Sequence, residues 1–248
     1  MSKMEDYRAQ LRQMAAWDAY LLENSGLPGP RGNLELAHAV AAEGSAALFE
    51  RYRAYTPELA PVNSPQEFLA FCGVLGLGKL IAAGEHAWFA TLRAAAVDPR
   101  WRTREAVAMA LQMVGDVDMP LLLAEMTLWS QGSPLEQRAA AAALCEPRLL
   151  TRPDEVRAVL GILSAITASI KDIPDRKTEA FQALRKGLAY CWSVAAAALP
   201  EAGRPAMEAW FADPDKDIRW MMRENLKKNR LQRMDAAWVQ QAQLRLGE

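Results

Sequence analysis

One phrase of this sequence occurs twice, and it constrains the fold more than any other feature. In each copy an Asp-Pro is followed by an Arg six residues after the Asp and by a Leu seven residues after that Arg. The copies are Asp98…Arg104…Leu111 and Asp213…Arg219…Leu226. Proline in the first turn of a helix loses no hydrogen bond, so Asp-Pro is typical of a helix start. A helix start that recurs along a chain predicts stacked helical repeats, which offer binding surfaces more often than catalytic centres.

The composition is that of a folded protein without a strong overall charge. Of the 248 residues 51% are hydrophobic, which is enough for a continuous core, and we predict a single domain over residues 1–248. The 29 basic and 30 acidic residues give a net charge of −1. No global field therefore attracts nucleic acid or anionic lipid, and any basic surface must be local.

The three cysteines predict a reduced, cytoplasmic protein. Cys72, Cys145 and Cys191 are far apart, odd in number and set in apolar contexts, so we expect thiols in the core. The first residues carry charge and no apolar run, which predicts no secretory signal. Uncharged runs such as residues 158–170 are shorter than the roughly 18 apolar residues of a membrane span. We therefore expect no membrane as a partner.

Helix starts are easy to locate because Ser-Pro-x-Glu occurs twice. Ser64-Pro65-Gln66-Glu67 and Ser133-Pro134-Leu135-Glu136 both have the form of a capping box with proline at the first helical position. No segment shows the sustained alternation of a strand. The sequence therefore predicts an all-α fold of about twelve helices. We expect them near residues 4–24, 33–54, 65–83, 85–97, 101–115, 118–131, 134–146, 153–171, 175–198, 203–212, 215–230 and 235–246.

Short connections between these helices predict antiparallel hairpins. The hairpin starts are 34, 35, 42 and 38 residues apart, which is the range of two-helix repeats. These starts lie near Ser64, Asp98, Ser133, Asp175 and Asp213. We predict that residues 64–248 form the repeats. Residues 1–63 are expected to form an N-terminal helical cap, since a stacked array must cover its open apolar end.

Three helix segments resemble the second helix of HEAT repeats, in which an Asp precedes an Arg, small residues and a Leu. They are Asp98…Arg104-Glu105-Ala106…Leu111, Gln137-Arg138-Ala139-Ala140…Leu144 and Asp213…Arg219…Leu226. The resemblance covers the chain from about Ser64 onward and implies a right-handed α-solenoid. HEAT arrays commonly serve as protein-binding scaffolds. One branch, the bacterial alkylation-repair DNA glycosylases, binds DNA on its concave face.

The match to the HEAT pattern is incomplete in two hairpins. The hairpin at Ser133 lacks the leading Asp, and the hairpin at Asp175 has Glu179 near the position of the Arg. The fold alone transfers neither the scaffold role nor DNA binding.

The residues of common catalytic and metal sites are scarce. Only two histidines, His38 and His86, occur, and no Cys or His pair has ligand spacing, so we expect no metal and no cofactor. The glycines of residues 73–78 lack a preceding strand and a following Lys-Ser or Lys-Thr, so close helix packing explains them better than a nucleotide loop. Carboxylates at 213–217 fit helix capping. Enzymatic chemistry has no positive support.

The strongest local charge lies near the C-terminus. Residues 219–233 contain six basic residues and one acidic residue, a net charge of +5. On one continuous helix, four of the basic residues would form a stripe roughly 80° wide. They are Arg219, Arg223, Lys227 and Arg230. This stripe is either a solvated face that pairs with neighbouring carboxylates or a site for phosphates or an acidic protein segment.

Two tryptophans beside the repeated arginines add to the candidate surface. Trp101 and Trp220 lie at predicted helix starts, where they either pack between helices or line a groove with Arg104. Our first hypothesis is a non-enzymatic scaffold that binds a partner protein or peptide on its concave surface. The alternative is a nucleic-acid-binding protein that resembles the alkylation-repair enzymes, with Asp98 or Asp213 near a lesion. A small-molecule enzyme is a third class, without specific support.

Overall fold

The computed structural model describes residues 2–247. Within that range the chain forms fifteen α-helices and two 3-10 helices, Pro147–Leu149 and Ile170–Asp172, and no β-strand. About 73% of the protein is helical. The prediction of an all-α fold is therefore confirmed.

Contacts divide the described residues into two compact units, one ending at Val117 and the other beginning at Asp118. The first unit contains seven helices and the second contains eight. Those of the first are α1 (Lys3–Arg12), α2 (Asp18–Glu23), α3 (Leu34–Glu43), α4 (Ala46–Arg53), α5 (Pro65–Ala82), α6 (Trp88–Ala95) and α7 (Trp101–Val117). Those of the second are α8 (Met119–Trp129), α9 (Pro134–Leu144), α10 (Pro153–Ser169), α11 (Glu179–Ala198), α12 (Pro200–Glu208), α13 (Lys216–Leu226), α14 (Asn229–Met234) and α15 (Ala236–Gly247).

Helix α5 is the core of the first unit and packs against α2, α3, α4, α6 and α7. Every residue from 68 to 78 is apolar and buried, so this part of the helix is apolar on all sides rather than amphipathic. Three glycines let its neighbours approach closely. A Cβ at Gly78 would lie 2.5 Å from the carbonyl oxygen of Ala110 in α7, and one at Gly76 would lie 2.2 Å from the Phe49 ring in α4. The prediction that residues 73–78 serve close helix packing is confirmed.

Helix α5 also meets the length and hydropathy of a membrane-spanning helix, the only one among the described residues to do so. In this structure 78% of it is buried inside the protein. The core helix of a folded domain passes the same test. The length and hydropathy of α5 therefore do not distinguish a membrane-spanning helix from a core helix.

Helix α11 is the corresponding core helix of the second unit and packs against α9, α10, α12, α13 and α14. The fully buried Asn225 of α13 binds it at two points. Its Oδ1 accepts from the backbone N–H of Ser193 at 2.8 Å, and its Nδ2 donates to the carbonyl oxygen of Leu188 at 2.9 Å. Because buried polar groups without partners are costly, these bonds fix α13 on α11.

Both copies of the repeated phrase form the same turn. Asp98 Oδ1 accepts the N–H of Arg100 at 2.7 Å, and Asp213 Oδ1 accepts that of Asp215 at 3.0 Å. This bond to the backbone two residues onward is the usual turn-forming bond of Asp. Helices α7 and α13 each begin three residues after their Asp. The predicted helix starts are confirmed at both positions.

The two Ser-Pro-x-Glu segments differ. At Ser133 the capping box is complete, with both reciprocal bonds present. At Ser64 the serine accepts from the Glu67 N–H, but the Glu67 carboxylate accepts from the N–H of Asn63 instead of that of Ser64. The Ser64 N–H donates to the carbonyl oxygen of Pro61 at 3.0 Å, and the Glu67 carboxylate also forms a buried ion pair with Arg102. The predicted reciprocal box is therefore wrong at this helix start.

Three predicted helices are each two helices. The segment 4–24 divides between Arg12 and Asp18, where Trp17 Nε1 donates to the carbonyl oxygen of Leu11 at 2.9 Å. The segment 33–54 divides at Gly44, which is extended (φ −72°, ψ 164°), and α4 starts afresh. The segment 215–230 ends at Leu226, and Lys228 is extended (φ −77°, ψ 129°) before α14.

Candidate anion-binding groove

A groove of about 700 Å³ lies in the second unit, between the end of α11, the 3-10 helix at 147–149 and the junction of α13 with α14. One wall carries four cations and an amide. The cations are Lys227, Lys228, Arg230 and Arg233, and the amide is Asn229. Among the described residues that line the groove none is acidic. We call this site the basic groove.

The basic groove has more positive charge than its surroundings neutralise. Lys227 Nζ forms an ion pair of 2.5 Å with Glu224. In the part of the chain that the structure describes, no carboxylate pairs with Lys228, Arg230 or Arg233. Three cations around one concave surface therefore lack an anion.

Two of these cations, Lys228 and Arg230, lie over the exposed ring of Tyr190. The Arg230 guanidinium lies over the ring, 4.6 Å from its centre, and donates a hydrogen bond to the phenol oxygen. Lys228 Nζ lies 5.8 Å from the same ring centre. Tyr190 is 45% exposed. Stacking of this kind holds a guanidinium in place while part of its donor edge stays available.

The floor of the basic groove is apolar. It is formed by Pro147, Leu150, Val194, Ala197 and Ala198. Two of these are alanines at the end of α11, and their small side chains leave space that larger residues would fill. An apolar floor beside a cationic wall suits a ligand that combines anionic with apolar groups.

Buried thiols are present in both units. Cys72, Cys145 and Cys191 are buried and form no disulfide, as the sequence predicts. Burial raises the pKa of the Cys145 thiol well above its ordinary value, and Cys191, with which it forms a hydrogen bond, raises it further. Burial likewise raises the pKa of Cys72. Such thiols stay protonated and are poor nucleophiles.

The four residues of the predicted stripe do not lie on one surface, because α13 ends at Leu226. Lys227 and Arg230 line the basic groove. Arg219 and Arg223 both donate to the carbonyl oxygen of Leu246 at the end of α15, at 3.0 and 2.7 Å. The orphan carbonyls of a helix end attract cations, so these two arginines have a structural partner.

Arg104 and Trp101 lie in the first unit. Arg104 is buried, and its Nη1 donates to the carbonyl oxygens of Asp98 and Pro99 at 2.8 and 3.0 Å, which ties the preceding turn to its own helix. Trp101 is 45% exposed, and the guanidinium of Arg102 lies over its ring at 4.4 Å. The repeated arginines, Arg104 and Arg219, therefore bind different acceptors.

Trp220 lies in the second unit, half-buried beneath a guanidinium. Arg185 stacks on its ring at 3.6 Å from the centre and forms an ion pair of 2.8 Å with Asp217. This packing leaves less of the ring available than at Trp101, and Trp220 does not line the basic groove.

Two cations of the groove, Lys228 and Arg233, were not among the predicted site residues, and neither was Tyr190, which contacts the groove cations Lys228 and Arg230. Lys228 and Arg233 lie in the segment of net charge +5, which was the available signal. Tyr190 is distant in sequence, so only the tertiary structure reveals its contact with Arg230.

No three His, Cys, Asp or Glu side chains in residues 2–247 lie close enough to hold a metal ion. No protein-family model, curated protein or solved structure matches the chain.

Proposed function

We propose that the chain is a non-enzymatic HEAT-type scaffold that binds an acidic segment of a partner protein in the basic groove. The fold proposed is a right-handed α-solenoid with residues 64–248 as repeats and residues 1–63 as a cap. Alternation in the helix contacts supports it. In the second unit α9, α11, α13 and α15 contact in succession, as do α8, α10 and α12. In the first unit α3, α5 and α7 contact in succession. Rows of alternate helices are typical of stacked helical hairpins.

The observation that carries the binding proposal is the set of three cations without carboxylate partners, placed over an apolar floor. Lys228, Arg230 and Arg233 supply the charge, and Leu150 and Val194 supply part of the floor. Arginine and lysine bind carboxylates through charge-assisted hydrogen bonds. A peptide with acidic residues next to a Leu or Phe matches both surfaces. We expect this binding to take place in the cytoplasm, where the thiols stay reduced.

The test is a fluorescence-anisotropy titration of the purified protein with a short labelled peptide of Glu residues that flank one Leu and one Phe. The double variant Lys228→Glu/Arg233→Glu should lower the affinity by a factor of about ten or more, because two attractions of ~0.5 kcal/mol each become repulsions. The matched control is Lys177→Glu/Arg157→Glu, which makes the same charge change outside the groove. Equal affinities for the two double variants would refute the site.

Nucleic acid is the alternative ligand, and one observation favours it. Tyr190, Lys228 and Arg230 place an exposed aromatic ring among cations, as single-strand-binding surfaces do. Labelled single- and double-stranded DNA in the same assay separates the two ligands. DNA binding that exceeds peptide binding at low salt and falls steeply as salt rises would replace the peptide proposal. Peptide binding without DNA binding would retain it.

A further inference from the structure

A second concave site lies in the first unit, apart from the elements that form the basic groove. A cavity of about 220 Å³ opens between the loop 27–32, α5 and α7. Its walls are mostly apolar and aromatic: Leu27, Leu34, Phe68, Phe71, Trp101 and Met109. We propose that this cavity binds a small aromatic carboxylate, with its ring among the aromatic side chains and its carboxylate on Arg31.

The exposed aromatic surface supports a ligand at this position. Trp101 is 45% exposed although it is among the largest apolar side chains of the unit. The Phe68 and Phe71 rings are parallel, with an angle of 2° between their planes and 6.5 Å between their centres. Rings in offset or edge-to-face contact gain ~0.5–1.5 kcal/mol beyond their burial. A flat ring in the cavity would cover part of Trp101 and contact the phenylalanines.

The charges around the cavity select an anion. Arg31 is exposed at the mouth and, within residues 2–247, has no hydrogen-bond or ion-pair partner. Arg102, which also lines the cavity, is neutralised by the buried Glu67 behind the wall through an ion pair of 3.1 Å. Glu105, the acidic lining residue, is engaged with other groups of the chain. Arg31 is therefore the charge that remains for a ligand.

The loop that carries Arg31 is held in place before any ligand binds. Arg102 Nη2 donates to the carbonyl oxygen of Gly29 at 2.7 Å, and the N–H of Gly29 donates to Asn63 Oδ1 at 2.9 Å. Gly26 has a φ of +74°, which favours glycine. A pre-formed mouth reduces the entropy lost on binding.

The size of the cavity limits the ligand. Its volume is below the roughly 300–1,000 Å³ of sites that take drug-sized molecules. One or two fused rings with a short acidic side chain fit this space, whereas a nucleotide or an extended peptide does not.

Isothermal titration calorimetry with three probes of one ring system tests the proposal. Indole-3-acetate, indole and tryptamine differ mainly in charge, which is negative, neutral and positive. We expect indole-3-acetate to bind at least about fivefold more tightly than indole, as one charge-assisted hydrogen bond provides, and tryptamine to bind more weakly than indole. Failure of indole-3-acetate to bind, or tryptamine binding as tightly, would overturn the proposal.

Two kinds of variant test whether the probes bind in this cavity. Arg31→Ala should abolish the preference for indole-3-acetate over indole, whereas Arg53→Ala, which removes another exposed arginine of the same unit, should retain it. Met109→Trp and Leu34→Trp, at half-buried wall positions, should each block all three probes, with folding verified by circular dichroism. Unchanged binding in a folded blocking variant would refute this site without bearing on the basic groove.

Discussion

Nη2 of Arg223 lies 2.7 Å from the backbone carbonyl oxygen of Leu246 and donates a hydrogen bond to it. Arg219 donates to the same oxygen from one turn earlier in α13. Two cations of the predicted stripe thus fix the end of α15, while Lys227 and Arg230 face the basic groove. A single charged segment therefore has a structural half and a half that is available for a ligand.

The structural half can be tested separately from binding. Arg223→Ala should lower the free energy of unfolding by about 1 kcal/mol, since it removes one charged hydrogen bond while Arg219 still satisfies the Leu246 carbonyl. Urea denaturation measures this loss. Peptide affinity should stay within about twofold of the wild type at protein concentrations and temperatures where both are folded. A stable Arg223→Ala variant with abolished peptide binding would instead assign Arg223 to the site.

Acid should weaken the contact of α1 with α3. Arg12 and Arg8 bind the Glu43 carboxylate and hold its pKa at about 2, below the usual 4.5. A lowered carboxylate pKa stabilises the fold above pH 4.5, and this contribution is lost as the pH falls from 4.5 towards 2. Glu43→Gln should therefore cost about 1 kcal/mol at pH 7, a value limited by solvent screening.

Thermal unfolding of the wild type and Glu43→Gln at several pH values measures that difference. The two stabilities should converge between pH 4.5 and 2. A constant difference down to pH 2 would show that the carboxylate charge is not the cause.

Gly78 should tolerate no side chain. A Cβ at this position would lie 2.5 Å from the Ala110 carbonyl oxygen, so Gly78→Ala should destabilise the protein by about 3 kcal/mol through overpacking. Gly161→Ala in α10 is the matched control, since no atom lies within 4 Å of its Cβ position. That substitution should stabilise the helix by ~0.5–1 kcal/mol. Calorimetric melting of both variants tests the pair, and equal melting temperatures would contradict close packing at Gly78.

Asn225 should matter more to stability than its size suggests. Asn225→Ala removes an acceptor from the Ser193 N–H and leaves the Leu188 carbonyl without this donor. Because both groups are buried, the expected cost is about 2–3 kcal/mol. Asn225→Asp should not restore stability, since a carboxylate cannot donate to Leu188 and its burial is unfavourable. Denaturation midpoints of the two variants check this, and a neutral effect of Asn225→Ala would contradict it.

Helix starts could be predicted because their signals are local. The Asp98 and Asp213 turns depend on side-chain bonds to the backbone two residues away, and the Ser133 cap depends on residues three positions apart. The break after Leu226 has no such signal. Lys227-Lys228-Asn229 contains no proline or glycine, and the direction of the chain there depends on tertiary packing, including the Asn225 bonds and the burial of Leu231.

The same break explains why Lys228 was not predicted as a site residue. On one straight helix Lys228 would lie about 180° from Arg219, on the opposite face from the predicted stripe. Because α13 ends before it, Lys228 instead lines the basic groove beside Arg230. The cavity beside Arg31 could not be predicted from the sequence either, because it forms where the loop 27–32 packs against α5 and α7.

The most direct measurement of the central proposal is photo-crosslinking of the acidic peptide from the floor of the basic groove. A benzophenone amino acid placed at the exposed Ala198 should crosslink the peptide, and the same probe at the exposed Ala165 of α10 should not. Excess unlabelled peptide should suppress the crosslink, as should the Lys228→Glu/Arg233→Glu substitutions. Equal crosslinking from both positions, or none from Ala198 under conditions where the peptide binds, would contradict peptide binding in the basic groove.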